Sequence, residues 1–74
     1  MTTQQFHATG LTCGHCAAAV TEEVGALEGV GDVAVEVVEG GASLVTVTGA
    51  RDLTDEEVAA ALEEAGGYAL VGRA

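Results

Sequence analysis

The sequence has no lysine, no proline and no tryptophan, and only two arginines against twelve acidic residues. A duplex-binding protein needs a basic face that neutralises phosphates and releases counterions, and Arg51 and Arg73 cannot make one, so nucleic acid is excluded as a partner. A formal net charge of −10 is equally unsuited to an anionic membrane surface. Without proline, no turn or site geometry rests on a fixed φ. Phe6 and Tyr68 are the only aromatic residues, so the core must be assembled from small aliphatic side chains, chiefly alanine and valine. No run approaches the roughly 20 apolar residues of a membrane span, and the polar start MTTQQFHATG has neither the basic nor the apolar part of a signal peptide.

Length narrows the reading further. Seventy-four residues make one domain, 1–74. A domain of this size buries roughly 60% of the surface its unfolded chain exposes. It has no room for a deep cleft between lobes or for the supporting shell of an elaborate active site, which disfavours an enzyme. The expected setting is the cytoplasm, where thiols stay reduced. Two cysteines three positions apart then suggest a metal or redox site rather than a structural crosslink.

What is present is a rhythm of strand, helix and strand, repeated once. Thr3 to Thr9 reads as a strand with Phe6 and Ala8 on one face and Gln5, His7 and Thr9 on the other. Leu11 to His15 is a loop feeding a helix whose stripe is Ala17, Val20, Val24 and Leu27, with Gly29 and Gly31 stopping it around Val30. Val33, Val35 and Val37 form the inner face of a strand. Glu39-Gly40-Gly41 is a turn, and Leu44 to Thr48 returns with Val45 and Val47 inward. Thr54-Asp55-Glu56-Glu57 is a capping-box pattern opening a helix with Val58, Ala61, Leu62 and Ala65 on one face. Gly66-Gly67 ends it, and Tyr68 to Val71 is the last strand. The order βαββαβ predicts an α+β, ferredoxin-like sandwich: a four-stranded antiparallel sheet with both helices on one face and water on the other.

The chemistry concentrates in Cys13-Gly14-His15-Cys16 at the junction of loop and helix. A helix N-terminus carries partial positive charge and unpaired N–H groups, which favour thiolate over thiol. The two-residue spacing lets both sulfurs reach one ion, and Gly14 is expected to let the backbone turn without a side chain in the way. Two soft sulfurs favour Cu(I), whereas structural zinc normally takes four ligands. Two-coordinate Cu(I) near the surface is open to attack by another protein's thiolates, which provides transfer without release. His15 reads either as an exposed first-turn residue or as a group that tunes the cysteines or joins them as a third ligand in metal-linked dimers. His7 reads as a polar face residue, and the helix carboxylates as solvated faces.

Gly10-Leu11-Thr12-Cys13-Gly14-His15-Cys16 resembles the metal-binding motif of the heavy-metal-associated domain family, which includes bacterial copper chaperones and the N-terminal domains of copper-transporting P-type ATPases. Gly29-Val30 with Val33 and Val35 resembles the stretch that follows the family's first helix, and Leu62-Glu63-Glu64-Ala65-Gly66 with Tyr68 resembles the family's C-terminal end. The likeness extends over nearly the whole chain. It implies a ferredoxin-like fold, Cys13 and Cys16 as metal ligands, and delivery of Cu(I) to a copper-transporting ATPase or a copper-responsive regulator, as a monomer or a copper-bridged homodimer. Thr12 before the first cysteine is similar to the copper branch, and the acidic residue often near the pair in zinc-transporting relatives is missing next to it. Leu11 replaces the family's usual methionine and is expected to pack beneath the loop. Ala65-Gly66-Gly67-Tyr68 replaces the usual Ala-Gly-Tyr, which leaves Tyr68 either shielding the metal loop, as the resemblance implies, or half-buried in the strand.

Three other readings compete. The chain could be a metal-binding domain of a transporter, or a zinc- or mercury-binding relative. It could be a Cys-Gly-His-Cys thiol-disulfide oxidoreductase, although such proteins resemble one another in a tryptophan before the first cysteine and a cis-proline opposite the pair, and this chain has neither. It could also be an interaction module with an incidental cysteine pair.

Overall fold

The computed structural model describes residues 2–11, 14–38 and 40–73. Its elements run β1 (Thr2–Thr9), α1 (Gly14–Gly25), β2 (Val30–Glu36), β3 (Ser43–Gly49), α2 (Asp55–Gly66) and β4 (Ala69–Arg73). The strands form one antiparallel sheet in the order β2-β3-β1-β4. This is the expected ferredoxin-like sandwich. Alternation along the central strands explains it: Phe6, Ala8, Val45 and Val47 are buried on one face, and both helices cover that face. Each helix presents a stripe to it, Val20 and Val24 from α1 and Val58, Ala61 and Leu62 from α2. Leu11 and Leu53, both in loops, close the core at its two ends and are 1% exposed.

The capping box at the start of α2 is complete. Glu57 N–H donates to Thr54 Oγ1 at 3.2 Å, and Thr54 N–H donates to Glu57 Oε1 at 3.0 Å. At the other end Gly67 takes the left-handed conformation, φ +74°, and its N–H donates to the Glu63 carbonyl at 2.8 Å. Glycine is favoured there because a Cβ is strained at positive φ. The β2–β3 hairpin turns through Gly40 at φ +78°, and Val38 N–H donates to the buried Ser43 Oγ at 2.9 Å.

Several expected boundaries move, and α1 begins at Gly14, inside the expected Leu11–His15 loop. Helix α1 ends at Gly25, not near Val30. Leu27 stays half-buried against the core from a turn, with its N–H donating to the Val24 carbonyl at 3.1 Å. Strand β2 begins at Val30 and ends at Glu36, so Val37 and Val38 lie beyond it. Gly31 therefore does not stop a helix; it falls where the β2–β3 register shifts, between Val30 and Asp32. The last strand begins at Ala69, after Tyr68.

Candidate metal site

The site lies at the end of the sandwich where β1 finishes, α1 begins, α2 finishes and β4 begins. Gly10 follows β1 with φ +98°. That left-handed step turns the chain out of the sheet and directs Leu11 into the core, where it is almost fully buried. Leu11 thus packs into the core directly after β1. Thr12 and Cys13 lie outside the described residues, so the expected ligand role of Cys13 gains no geometry. Cys16 is in the first turn of α1, partly buried and packed against the core.

Gly14 is the first residue of α1. Its φ is not positive, and a Cβ placed on it would meet nothing within 4 Å. A positive φ is found at Gly10, the residue that follows β1. His15 is exposed in the same first turn. No acidic residue stands in the first turn of α1. The partial positive charge of the helix start is therefore not cancelled by a neighbouring carboxylate, and it favours the thiolate form of a cysteine placed there.

Tyr68 lies at this end, half-buried against the core. Its ring lies beside Gly10: a Cβ on that glycine would meet Tyr68 Cδ1 at 3.2 Å. The structure thus sets Tyr68 beside Gly10 and packs Leu11, Cys16 and Tyr68 into or against the same core, with Gly14 and His15 exposed. The glycine before the tyrosine, Gly67, does the helix capping, so the additional glycine of the sequence is Gly66, in the last turn of α2. Its contact with Tyr68 carried no signal in the sequence: a Cβ on Gly66 would meet Tyr68 Oη at 2.8 Å.

The arginines, unlike the acids, are confined to one end of the molecule. Both arginines lie at the end away from the loop. The Arg51 guanidinium donates to both carboxylate oxygens of Glu57, at 3.0 and 2.7 Å. Arg73 Nε donates to Asp55 at 2.8 Å, and its guanidinium carbon stands 5.5 Å from the centre of the Phe6 ring. At the loop end α2 finishes with Glu63 and Glu64 exposed and no basic residue in its last turn. Among the described residues, no helix is long and apolar enough to cross a membrane.

Residues 5–68 match the family model of the heavy-metal-associated domain. The fold is similar to a solved structure described as the CopZ metallochaperone, with a TM-score of 0.77 and 25% sequence identity, over 95% of this chain and 100% of that one. No curated protein matches the sequence.

Proposed function

The chain belongs to the heavy-metal-associated domain family and is a metal-binding carrier, and from that premise we propose that its cargo is Cu(I), held between Cys13 and Cys16 and handed on by thiolate exchange. The observation that carries this reading is the placement of Cys16 in the first turn of α1, at a helix start without an acidic residue. A bis-thiolate Cu(I) centre has a net charge of −1, and the partial positive end of a helix stabilises such an anion. Two thiolates leave the ion open to an incoming sulfur. The acceptor's thiolate adds first, the carrier's thiolate leaves second, and copper stays Cu(I) throughout. The similarity to a CopZ metallochaperone supports this reading.

The acceptor is the metal-binding domain of a copper-transporting P-type ATPase or a copper-responsive regulator, met in the cytoplasm. Its docking face carries positive charge. With both arginines at the far end of the sandwich and Glu63 and Glu64 near the loop, the surface around the metal is fitted to a basic partner. Long-range attraction between such faces raises the rate of encounter and weakens as salt is added.

The deciding experiment is an anaerobic Cu(I) titration of the reduced protein against a competing chelator, beside the Cys13→Ser, Cys16→Ser variant. Tight uptake beginning at one ion per chain and lost in the variant is the expected result. Weak uptake, or uptake indifferent to the two serines, overturns the proposal.

A further inference from the structure

Both helices end in acids, and neither end has a base to meet them. The last turn of α1 carries Glu22 and Glu23, that of α2 carries Glu63 and Glu64, and no basic residue stands in either. The carbonyl end of a helix has partial negative charge, so these acids are penalised in the folded helix and not in an unfolded chain. Asp32 and Glu36 add exposed acids on strand β2. The two arginines are already engaged, Arg51 with Glu57 and Arg73 with Asp55, and among the described residues no other acid has an ion-pair partner. Against this repulsion stands a small core of one aromatic ring, Phe6, with valine, leucine and alanine. The acids are also spread rather than gathered: among the described residues no three of His, Cys, Asp and Glu are grouped so as to hold a metal ion. Relief of the repulsion therefore falls to diffuse counterions.

We propose that the fold of this domain is conditional on ionic strength: in dilute solution the metal-free domain is only marginally folded, and added monovalent salt makes it stable. The Debye length falls from about 30 Å at 0.01 M to about 3 Å at 1 M, and the longest extent of the fold is 31 Å. In dilute salt each acid is repelled by acids across the whole molecule, which opposes the compact state. At 1 M only immediate neighbours interact. Salt also screens the penalty at the two helix ends. What it weakens in return is two exposed or partly exposed ion pairs, which contribute little. The proposal goes beyond the carrier reading and stands on charge placement alone.

The experiment melts the metal-free, reduced protein by circular dichroism at 0.01 M and at 1 M KCl. It compares wild type with the fourfold variant Glu22→Gln, Glu23→Gln, Asp32→Asn, Glu36→Gln, which leaves the capping box and both ion pairs in place. The wild-type Tm is expected to rise by at least about 10 °C. The variant should start from a higher Tm at 0.01 M and show no more than about half that rise. NaCl should match KCl. A smaller wild-type rise overturns the proposal. So does an equal rise in the variant, because salt then acts on apolar burial rather than on charge. A rise that depends on which cation is used also overturns it, since that marks a bound ion. If the fourfold variant does not fold, Arg51→Gln decides. Arg51 lies between Glu57 and the field of Glu28, so its loss should make the rise larger, and a transition absent at 0.01 M that returns at 1 M counts as larger. An equal or smaller rise in Arg51→Gln overturns the proposal. Failure of wild type to take up Cu(I) would sink the carrier reading and leave this result untouched.

Discussion

Gln4 holds both backbone groups of Leu53 with one side chain. Its Nε2 donates to the Leu53 carbonyl at 3.2 Å, and its Oε1 accepts from the Leu53 N–H at 2.7 Å. The residues are 49 apart in sequence, so the amide fastens the loop before α2 to strand β1 and closes the core at the end away from the metal loop. Arg73 adds a bond to the same carbonyl at 3.0 Å. In Gln4→Leu the carbonyl keeps Arg73, but the N–H loses the partner seen here in a partly buried place. The expected cost is about 1–2 kcal/mol. For a domain of this size that lowers Tm by roughly 4–15 °C. Thermal unfolding followed by circular dichroism checks it, and an unchanged Tm would show that water replaces the amide.

The Arg51–Glu57 pair makes stability depend on acid in a stated direction. Hydrogen bonds from Arg51 and then from the Thr54 backbone hold the Glu57 carboxyl down at about 2. A carboxyl lowered on folding stabilises the folded state fully above its unfolded value. That contribution is lost as pH falls through the interval from the ordinary glutamate value to about 2. Glu57→Gln keeps a capping-box residue but not the charge. Wild type should therefore exceed Glu57→Gln in Tm by a constant margin above about pH 5, and the margin should vanish toward pH 2. Paired melts across that range test this, and a margin independent of pH would refute it. The pair is partly exposed, at 39% and 32% of the two side chains, so the margin will be small.

Leu11 separates the support of the metal loop from the chemistry of the metal. It is buried at 1% exposure and carries no ligand atom. Leu11→Met restores the residue usual in the family and conserves volume, so it should cost less than about 1.5 kcal/mol. It should leave Cu(I) affinity unchanged. Leu11→Ala empties a core position and should cost roughly 2–5 kcal/mol, comparable to the whole stability of a domain this small. Denaturant unfolding of the two variants reads the difference directly. A mild Leu11→Ala would mean that the loop collapses into the space.

Much of this molecule was legible in its sequence because each element has its own signal. Alternation at Phe6–Ala8 and Val45–Val47, the stripes of both helices and the Thr54–Glu57 capping pattern all recur in the structure. The misplaced boundaries have a common cause. Leu27 continues the helical spacing of Val20 and Val24, yet it reaches the core from a turn, and spacing cannot distinguish the two. Gly31 looks like a helix stop because register shifts leave no mark in local composition. Gln4 as a clamp and the bond from Arg73 to Leu53 are contacts between distant segments. They become visible only once the sheet has brought those segments together. Thr12 and Cys13 are legible only from the motif.

The exposed acids at the end of α2 bear on stability and on the proposed docking, and one pair of substitutions can separate the two. Glu63 and Glu64 stand in the last turn of α2 with no base beside them. There the carbonyl end of the helix already carries partial negative charge, and each acid is expected to destabilise by roughly 0.3–1 kcal/mol. Replacing both by glutamine should therefore raise Tm. The gain should shrink with salt, because the Debye length falls from about 30 Å at 0.01 M to about 8 Å at 0.15 M ionic strength. If these acids serve a basic acceptor, the same variant should pass Cu(I) to that acceptor more slowly at low salt and at the wild-type rate at high salt. Stopped-flow transfer to a metal-binding domain with a basic face reads the second effect, and melting reads the first. A variant that is more stable and transfers copper as fast as wild type at every ionic strength would assign these acids to solubility and remove them from the docking face.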